Sequence, residues 1–147
     1  MNANEMKYLV FSIGGDFYCS PLLSIREVLE FQQPKIMPNM VNYFSGVINV
    51  RGAIVGVLDM RTKFGLTSKN SSKTPLLLCD TDKGAIAAIV DSVDRVQEFT
   101  EEEIERKPPV QSRVKQDYLL GVAKSKEQLI TIVDLHKLLT EVELKVS

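Results

Sequence analysis

Tryptophan is absent from the 147 residues, histidine occurs once and cysteine twice. One histidine and two distant cysteines, Cys19 and Cys79, with no histidine at motif spacing from either, leave no ordinary nitrogen and sulfur ligand set for a metal. Neither a Walker loop nor a dinucleotide fingerprint occurs, so no phosphate cradle is expected. Charge of one sign is not in excess either: 18 Lys and Arg stand against 19 Asp and Glu, spread along the chain, which excludes nucleic acid or an anionic membrane surface as the main ligand. The longest apolar stretches, such as Ala85 to Val90, fall far short of the roughly 20 residues a spanning helix needs. Met1 to Met6 is too polar to open a signal peptide, so a cytoplasmic protein without membrane insertion is expected. In that reducing compartment both cysteines, each inside an apolar run, read as small buried hydrophobes.

What is present is a series of short apolar runs, 44% of positions being hydrophobic. From Lys7 the chain alternates with Leu9, Phe11 and Ile13 on one side, turns at Gly14-Gly15-Asp16 and resumes with Phe17-Tyr18-Cys19, a hairpin pattern. Ser20-Pro21 is suited to cap a single helical turn, and Ile25 to Leu29 follows as a third strand. After a Pro34 to Pro38 connection, Gly46 to Val50 and Ala53 to Leu58 form two strands about an Arg51-Gly52 turn. Asp59 is placed as the N-cap of a short helix through Phe64, ended by Gly65, and the polar stretch Thr67 to Thr74 is a loop.

The plan then repeats. A shift of 75 positions lays Gly46-Val47 on Gly121-Val122, Val57-Leu58-Asp59-Met60 on Ile132-Val133-Asp134-Leu135, and Phe64 on Leu139. A shift of 68 lays Leu9 on Leu77, Ile25 on Val93 and Val28 on Val96, with Asp82-Lys83-Gly84 in place of the first hairpin turn. Thr100 and Glu103 have capping-box spacing for a short helix that must stop before Pro108-Pro109, within the least regular stretch, Glu98 to Gln116. Short strands, hairpin punctuation and twofold similarity predict an all-β protein with short helices. It is made of two related barrels or half-barrels, approximately 7–74 and 75–147, which pack together because neither buries a generous core alone. Strands exchanged between the halves are compatible with this plan.

Chemistry is sparse. His136 lies in the second capped helix two residues from Asp134, a spacing that does not put both on one helical face, and reads as a surface residue. Asp80 to Gly84 has its glycine one place early for a calcium loop and reads as a hairpin turn. The carboxylates from Glu98 to Glu105 form a solvated acidic edge without the buried-acid, exposed-base pairing that catalysis requires. No catalytic residue, metal or cofactor is implied. A small ligand-binding or enzymatic barrel remains a rival from a different class.

The stretch Gly46-Val47-Ile48-Asn49-Val50-Arg51-Gly52-Ala53-Ile54-Val55-Gly56-Val57-Leu58-Asp59-Met60-Arg61 resembles the signature of the CheW family of bacterial chemotaxis coupling proteins. Tyr8 to Phe11 with Gly14, Ile25 to Val28, Pro38, Val90 to Val96, Tyr118 to Val122 and Val133 to Leu135 agree in order and spacing, so the resemblance covers nearly the whole chain. Met40, Gly56 and Met60 depart from the usual pattern in ways that touch local stiffness and packing. The resemblance implies two SH3-like five-stranded β-barrel subdomains on a shared hydrophobic core. It also implies a non-enzymatic adaptor that joins the cytoplasmic tips of methyl-accepting chemoreceptors to the regulatory domain of the histidine kinase CheA. Such a protein is a monomer when isolated and a ring or array member in the cell. A domain of a related chemosensory or surface-motility system, or an excised kinase regulatory domain, is the alternative within the same resemblance.

A receptor tip is a helical hairpin, and its recognition calls for an apolar groove flanked by polar groups that set register. Ile25, Val28, Val93 and Val96 fit such a groove, as facing edges of the cleft between subdomains, and the resemblance implies that they line the receptor site; ordinary barrel core is the alternative. The resemblance marks Glu27 and Arg51 as a neighbouring acid and base implicated in receptor and kinase coupling; a plain surface salt bridge is the alternative. Gly46, Asn49 and Gly52 are expected to shape the same surface. By family position the resemblance implies Thr74 and Leu76, at the start of the first strand of the second half, as kinase-contact candidates, where an exposed strand edge would meet the barrel end of the kinase.

Overall fold

The structure is a computed structural model and describes residues 5–106 and 116–141. In chain order the first half carries β1 (Glu5–Ile13), β2 (Asp16–Pro21), β3 (Glu27–Leu29), β4 (Phe44–Val50), β5 (Ala53–Asp59) and the helix α1 (Met60–Lys63). The second carries β6 (Leu76–Thr81), β7 (Gly84–Ile89), β8 (Ser92–Thr100), β9 (Ile104–Glu105), β10 (Leu119–Ser125), β11 (Gln128–Val133) and α2 (Leu135–Thr140). Short 3-10 turns at Leu22–Ser24, Glu101–Glu103 and Gln116–Tyr118 complete the described elements.

The strands assemble into a six-stranded sheet, β8-β1-β2-β11-β10-β9, and a five-stranded sheet, β3-β6-β7-β5-β4. Each is a hairpin from one half of the chain completed by strands of the other. The β1–β2 hairpin takes β8, β11 and β10; the β6–β7 hairpin takes β3, β5 and β4. A cut at residues 74 and 75 therefore passes through both sheets. The two parallel pairings, β11 with β2 and β5 with β7, occupy matching places in the two sheets.

Burial explains why the strands read as unbroken apolar runs. Leu9, Phe11 and Ile13 of β1 face a cluster between the sheets that also takes Leu77 and Cys79 of β6 and Leu135, Leu138 and Leu139 of α2. The alternate residues Tyr8 and Val10 face a core belonging to the six-stranded sheet, and Leu76 and Leu78 face that of the five-stranded one. Strands covered on both faces carry no polar alternation. Each such buried side chain contributes about 1.5–3 kcal/mol relative to exposure.

The repeat is structural as well as sequential. Both β4 and β10 step out of register at the glycine in their third position, Gly46 and Gly121, whose φ angles are 130° and 157°. A Cβ at Gly46 would lie 2.1 Å from the Lys35 carbonyl oxygen, and one at Gly121 would lie 2.9 Å from that of Glu105. In both copies glycine lets a short outer segment, the Lys35 bridge or β9, approach the strand. Asp59 and Asp134 then cap α1 and α2, accepting the backbone N–H of Arg61 at 3.0 Å and of Lys137 at 3.1 Å.

Four expectations are corrected. Among the described residues, strand pairing closes neither sheet into a full barrel: β8 and β9 end one, β3 and β4 the other, so the SH3-like subdomains are open sheets. Ser20 does not cap the turn at Leu22–Ser24; it is the buried penultimate residue of β2, and its hydroxyl donates to the Val133 carbonyl at 3.0 Å. His136 is half-buried instead of on the surface, its Nε2 donating to the Ser24 carbonyl at 2.8 Å. After Thr100 the chain makes only a 3-10 turn, held by Glu103 accepting the Thr100 N–H at 2.9 Å; Pro108 and Pro109 lie outside the described residues.

Candidate functional site

The β4–β5 hairpin ends in a two-residue turn with positive φ at both central residues, 49° at Arg51 and 90° at Gly52, as a type I′ turn demands. Asn49 holds it from the strand: its Oδ1 accepts the Gly52 N–H at 2.9 Å. The exposed Arg51 guanidinium is thereby presented at the sheet end, where it pairs with the Glu27 carboxylate. Glu27 belongs to β3, at the opposite end of the strand order from β4. The pair therefore reaches across the opening of that sheet, and the Lys35–Val47 bridge helps to shut the same gap. Behind it, Leu29 and Val50 pack in the core of that sheet.

Val28 sits directly opposite Leu77 on β6 and so faces the same side as the inter-sheet cluster, with 46% of its surface exposed. Val96 lies opposite Leu9 and is 51% exposed. Ile25 and Val93 are partly buried against that cluster. Val93 and Val96, three apart in a strand of period two, share a face because β8 bulges: Arg95 pairs with Val10 and Val93 with Phe11, leaving Asp94 extra. Val28 on β3 and Val93 and Val96 on β8 thus lie on two edge strands, one per sheet, with Ile25 just ahead of β3, along the margin of the shared core. For Val28 and Val96 the exposure excludes ordinary core.

The structure brings Glu27, Asn49, Arg51 and Gly52 together, with Val28 next to Glu27 on β3, and places Val93 and Val96 on the other sheet. Gly46 is buried at the other end of β4, against Lys35 backbone, and does not shape the Arg51 surface. Thr74 is 5% exposed and its Oγ1 accepts the Ser71 N–H at 2.9 Å; Leu76 is fully buried. The exposed edge expected there does not exist, because β6 lies between β3 and β7 and carries two-sided core.

Arg61, at the end of the signature stretch, was not singled out by sequence reasoning. Its buried guanidinium meets Asp59 through Nε and Nη2 at 3.0 and 3.1 Å, Asp91 at 3.3 Å, the Lys69 carbonyl at 3.0 Å and the Asn70 side chain. Burial alone would lower its pKa, but hydrogen bonds and charge from Asp59 and then Asp91 outweigh that and raise it. Asp91 also accepts the Gly14 N–H at 2.6 Å, so one network ties α1, the polar loop, the approach to β8 and the β1–β2 turn. The free thiols Cys19 and Cys79 are wholly buried, and burial pushes both up to about 12. Among the described residues no group of three His, Cys, Asp or Glu could hold a metal ion, and no helix is long and apolar enough to cross a membrane.

The family model for the CheW-like domain matches residues 7–143. The chain belongs to the CheW-like family. A probable chemotaxis protein CheW of Rhizobium etli is 24% identical over 97% of this chain and 93% of its own length. The chemotaxis protein CheW of Klebsiella aerogenes is 27% identical over 94% of this chain and 84% of its own. The crystal structure of the scaffolding protein TtCheW from Thermoanaerobacter tengcongensis superposes with a TM-score of 0.83 at 29% identity, covering 93% of this chain and 88% of that one. The chain is thus a CheW-type scaffold in chemotaxis, and the two open sheets on a shared core are the CheW fold.

Proposed function

We propose that this CheW-like chain is a non-enzymatic, cytoplasmic adaptor that couples the tips of methyl-accepting chemoreceptors to the regulatory domain of the histidine kinase CheA, monomeric alone and part of a ring or array in the cell. The observation that carries the reading is the end of the five-stranded sheet, where the half-exposed Val28 stands beside the Glu27–Arg51 pair on an edge strand. An aliphatic contact next to a guanidinium in a braced turn is what one face of a helical hairpin requires: burial for its apolar side chains and a directional donor to fix register. Ile25 and Val93, at the margin of the shared core, extend the apolar contact in this reading. Thr74 and Leu76, being inside, contribute to a kinase contact only by holding the loop and strand behind it.

The experiment is calorimetric titration of the 147-residue chain with the isolated CheA regulatory domain, followed by receptor-dependent kinase activation in reconstituted membranes. Saturable one-to-one binding and activation support the adaptor. Folded partners that do not bind would overturn the assignment to CheA and favour a related sensory system.

A further inference from the structure

The repeat makes the two sheet ends comparable position by position. Sixty-eight residues on from Glu27 and Leu29 stand Arg95 and Gln97; 75 on from Val50 and Arg51 stand Ser125 and Lys126. The backbone agrees, since Lys126 has φ 55° where Arg51 has 49°. Arg95 and Gln97 lie opposite Val10 and Tyr8, and so face their own sheet's core side as Glu27 and Leu29 do.

The chemistry does not agree. An acid and a base pair across the first end, whereas at the second Arg95 pairs with its own neighbour Asp94 and leaves Lys126 on the turn. Leu29 and Val50 pack as core in the first end; in the second, Gln97 Nε2 donates to Ser125 Oγ at 2.7 Å. What results is an open cavity of about 1000 Å³ lined by Arg95, Val96, Gln97, Ser125, Lys126 and Glu127. The Arg95 guanidinium is held in place, Nε donating to Gln97 Oε1 at 2.7 Å and Nη1 to the Asp94 carboxylate. Among the described residues Arg95 Nη2 makes no hydrogen bond, and Lys126 and Glu127 make no ion pair.

We propose that this end of the six-stranded sheet docks a carboxylate-bearing segment of a partner protein, whose acids are received by Lys126 and by the Nη2 edge that Arg95 leaves open beside Asp94. The cavity is at the upper limit of small-molecule pockets, room for several residues and not for one ion. Glu127, the one carboxylate in the lining, disfavours a segment of uniform negative charge and favours one with spaced acids.

The test is amide chemical-shift titration of the full ¹⁵N-labelled chain with a blocked peptide, Ala-Glu-Leu-Glu-Ala-Glu, with its glutamine counterpart, and with glutarate as a free dicarboxylate. Expected are saturable shifts centred on residues 95–97 and 125–128, weakened about tenfold or more for the glutamine peptide. Charge reversal at both positions, Arg95→Glu with Lys126→Glu, should abolish them in a chain that circular dichroism shows folded. Lys126→Ala, on an exposed turn, gives the same reading at partial strength if the double variant does not fold. Shifts centred elsewhere, or an equal response to the glutamine peptide, overturn the proposal. So does glutarate saturating the same residues at the peptide's concentration, which would make this a small-anion site.

Discussion

Arg61 and His136 hold the same place in the two copies of the repeat, two residues after the capping aspartate, and each donates to the connector that delivers an exchanged strand. Arg61 reaches Asp91, just before β8; His136 reaches the Ser24 carbonyl, just before β3. The helix closing one sheet thereby pins the strand that leaves for the other. The two pins differ in kind: one is a buried, multiply paired guanidinium, the other a single hydrogen bond.

That difference is measurable. Arg61→Met strands the buried Asp59 carboxylate without a counter-charge and should cost about 3–5 kcal/mol in urea unfolding, as breaking a buried pair does. His136→Ala should cost only about 0.5–1.5 kcal/mol for one hydrogen bond, plus any packing lost with the ring. Equal losses would show that the Arg61 network is not the stronger pin.

Arg51→Ala should leave the melting curve within about 1 kcal/mol of the parent, since its pair is exposed. Receptor-dependent kinase activation should fall all the same. A collapse of stability on this change would make Arg51 a structural residue of the turn and remove it from the proposed contact.

Glycine at 46 and at 52 should respond differently to alanine. Both have positive φ, so each substitution carries roughly 1–2 kcal/mol of backbone strain. Gly52 has open space around a Cβ, whereas at Gly46 the new atom meets Lys35 backbone. Gly46→Ala should therefore be the worse by about 1–3 kcal/mol, and should free the Lys35–Val47 bridge to faster amide exchange.

The buried thiols make stability fall in alkali. Below pH about 7.5 both are neutral whether the chain is folded or not, and contribute no pH dependence. Between about 9 and about 12 the unfolded chain releases protons that the folded one retains, so stability drops by about 1.4 kcal/mol per pH unit and per thiol. Cys19→Ala with Cys79→Ala should flatten that limb of a plot of unfolding free energy against pH. A slope unchanged by the substitutions would refute the assignment to the thiols.

Much of this was legible from local pattern: the hairpin turns at Gly14-Gly15, Arg51-Gly52 and Asp82-Lys83, the capping aspartates, the buried cysteines and the twofold repeat all follow from spacing of apolar residues, glycine and Asp. The Glu27–Arg51 pair came from the family resemblance, not from spacing. The strand exchange was only half-visible, because two copies of one pattern do not say which β3 or β8 pairs with which hairpin. Arg61 escaped notice because the partner that identifies its role, Asp91, is thirty residues away and arrives only with the fold. Leu76 was misplaced for a related reason: a strand buried on both faces and an exposed edge begin with the same apolar letters, and only the neighbouring β3 decides between them.

The reciprocal sharing of hairpins has a consequence for how the chain comes into being. As the polypeptide leaves the ribosome, β1 and β2 have neither of their later neighbours until β8 and then β11 are made, more than 70 residues on. Contacts of such high sequence separation make for slow folding, and an emerging first half carries an unsatisfied hairpin for most of synthesis. Cooperative acquisition of both sheets at once, late and all together, is the kinetic counterpart of a scaffold in which neither half is a free-standing unit.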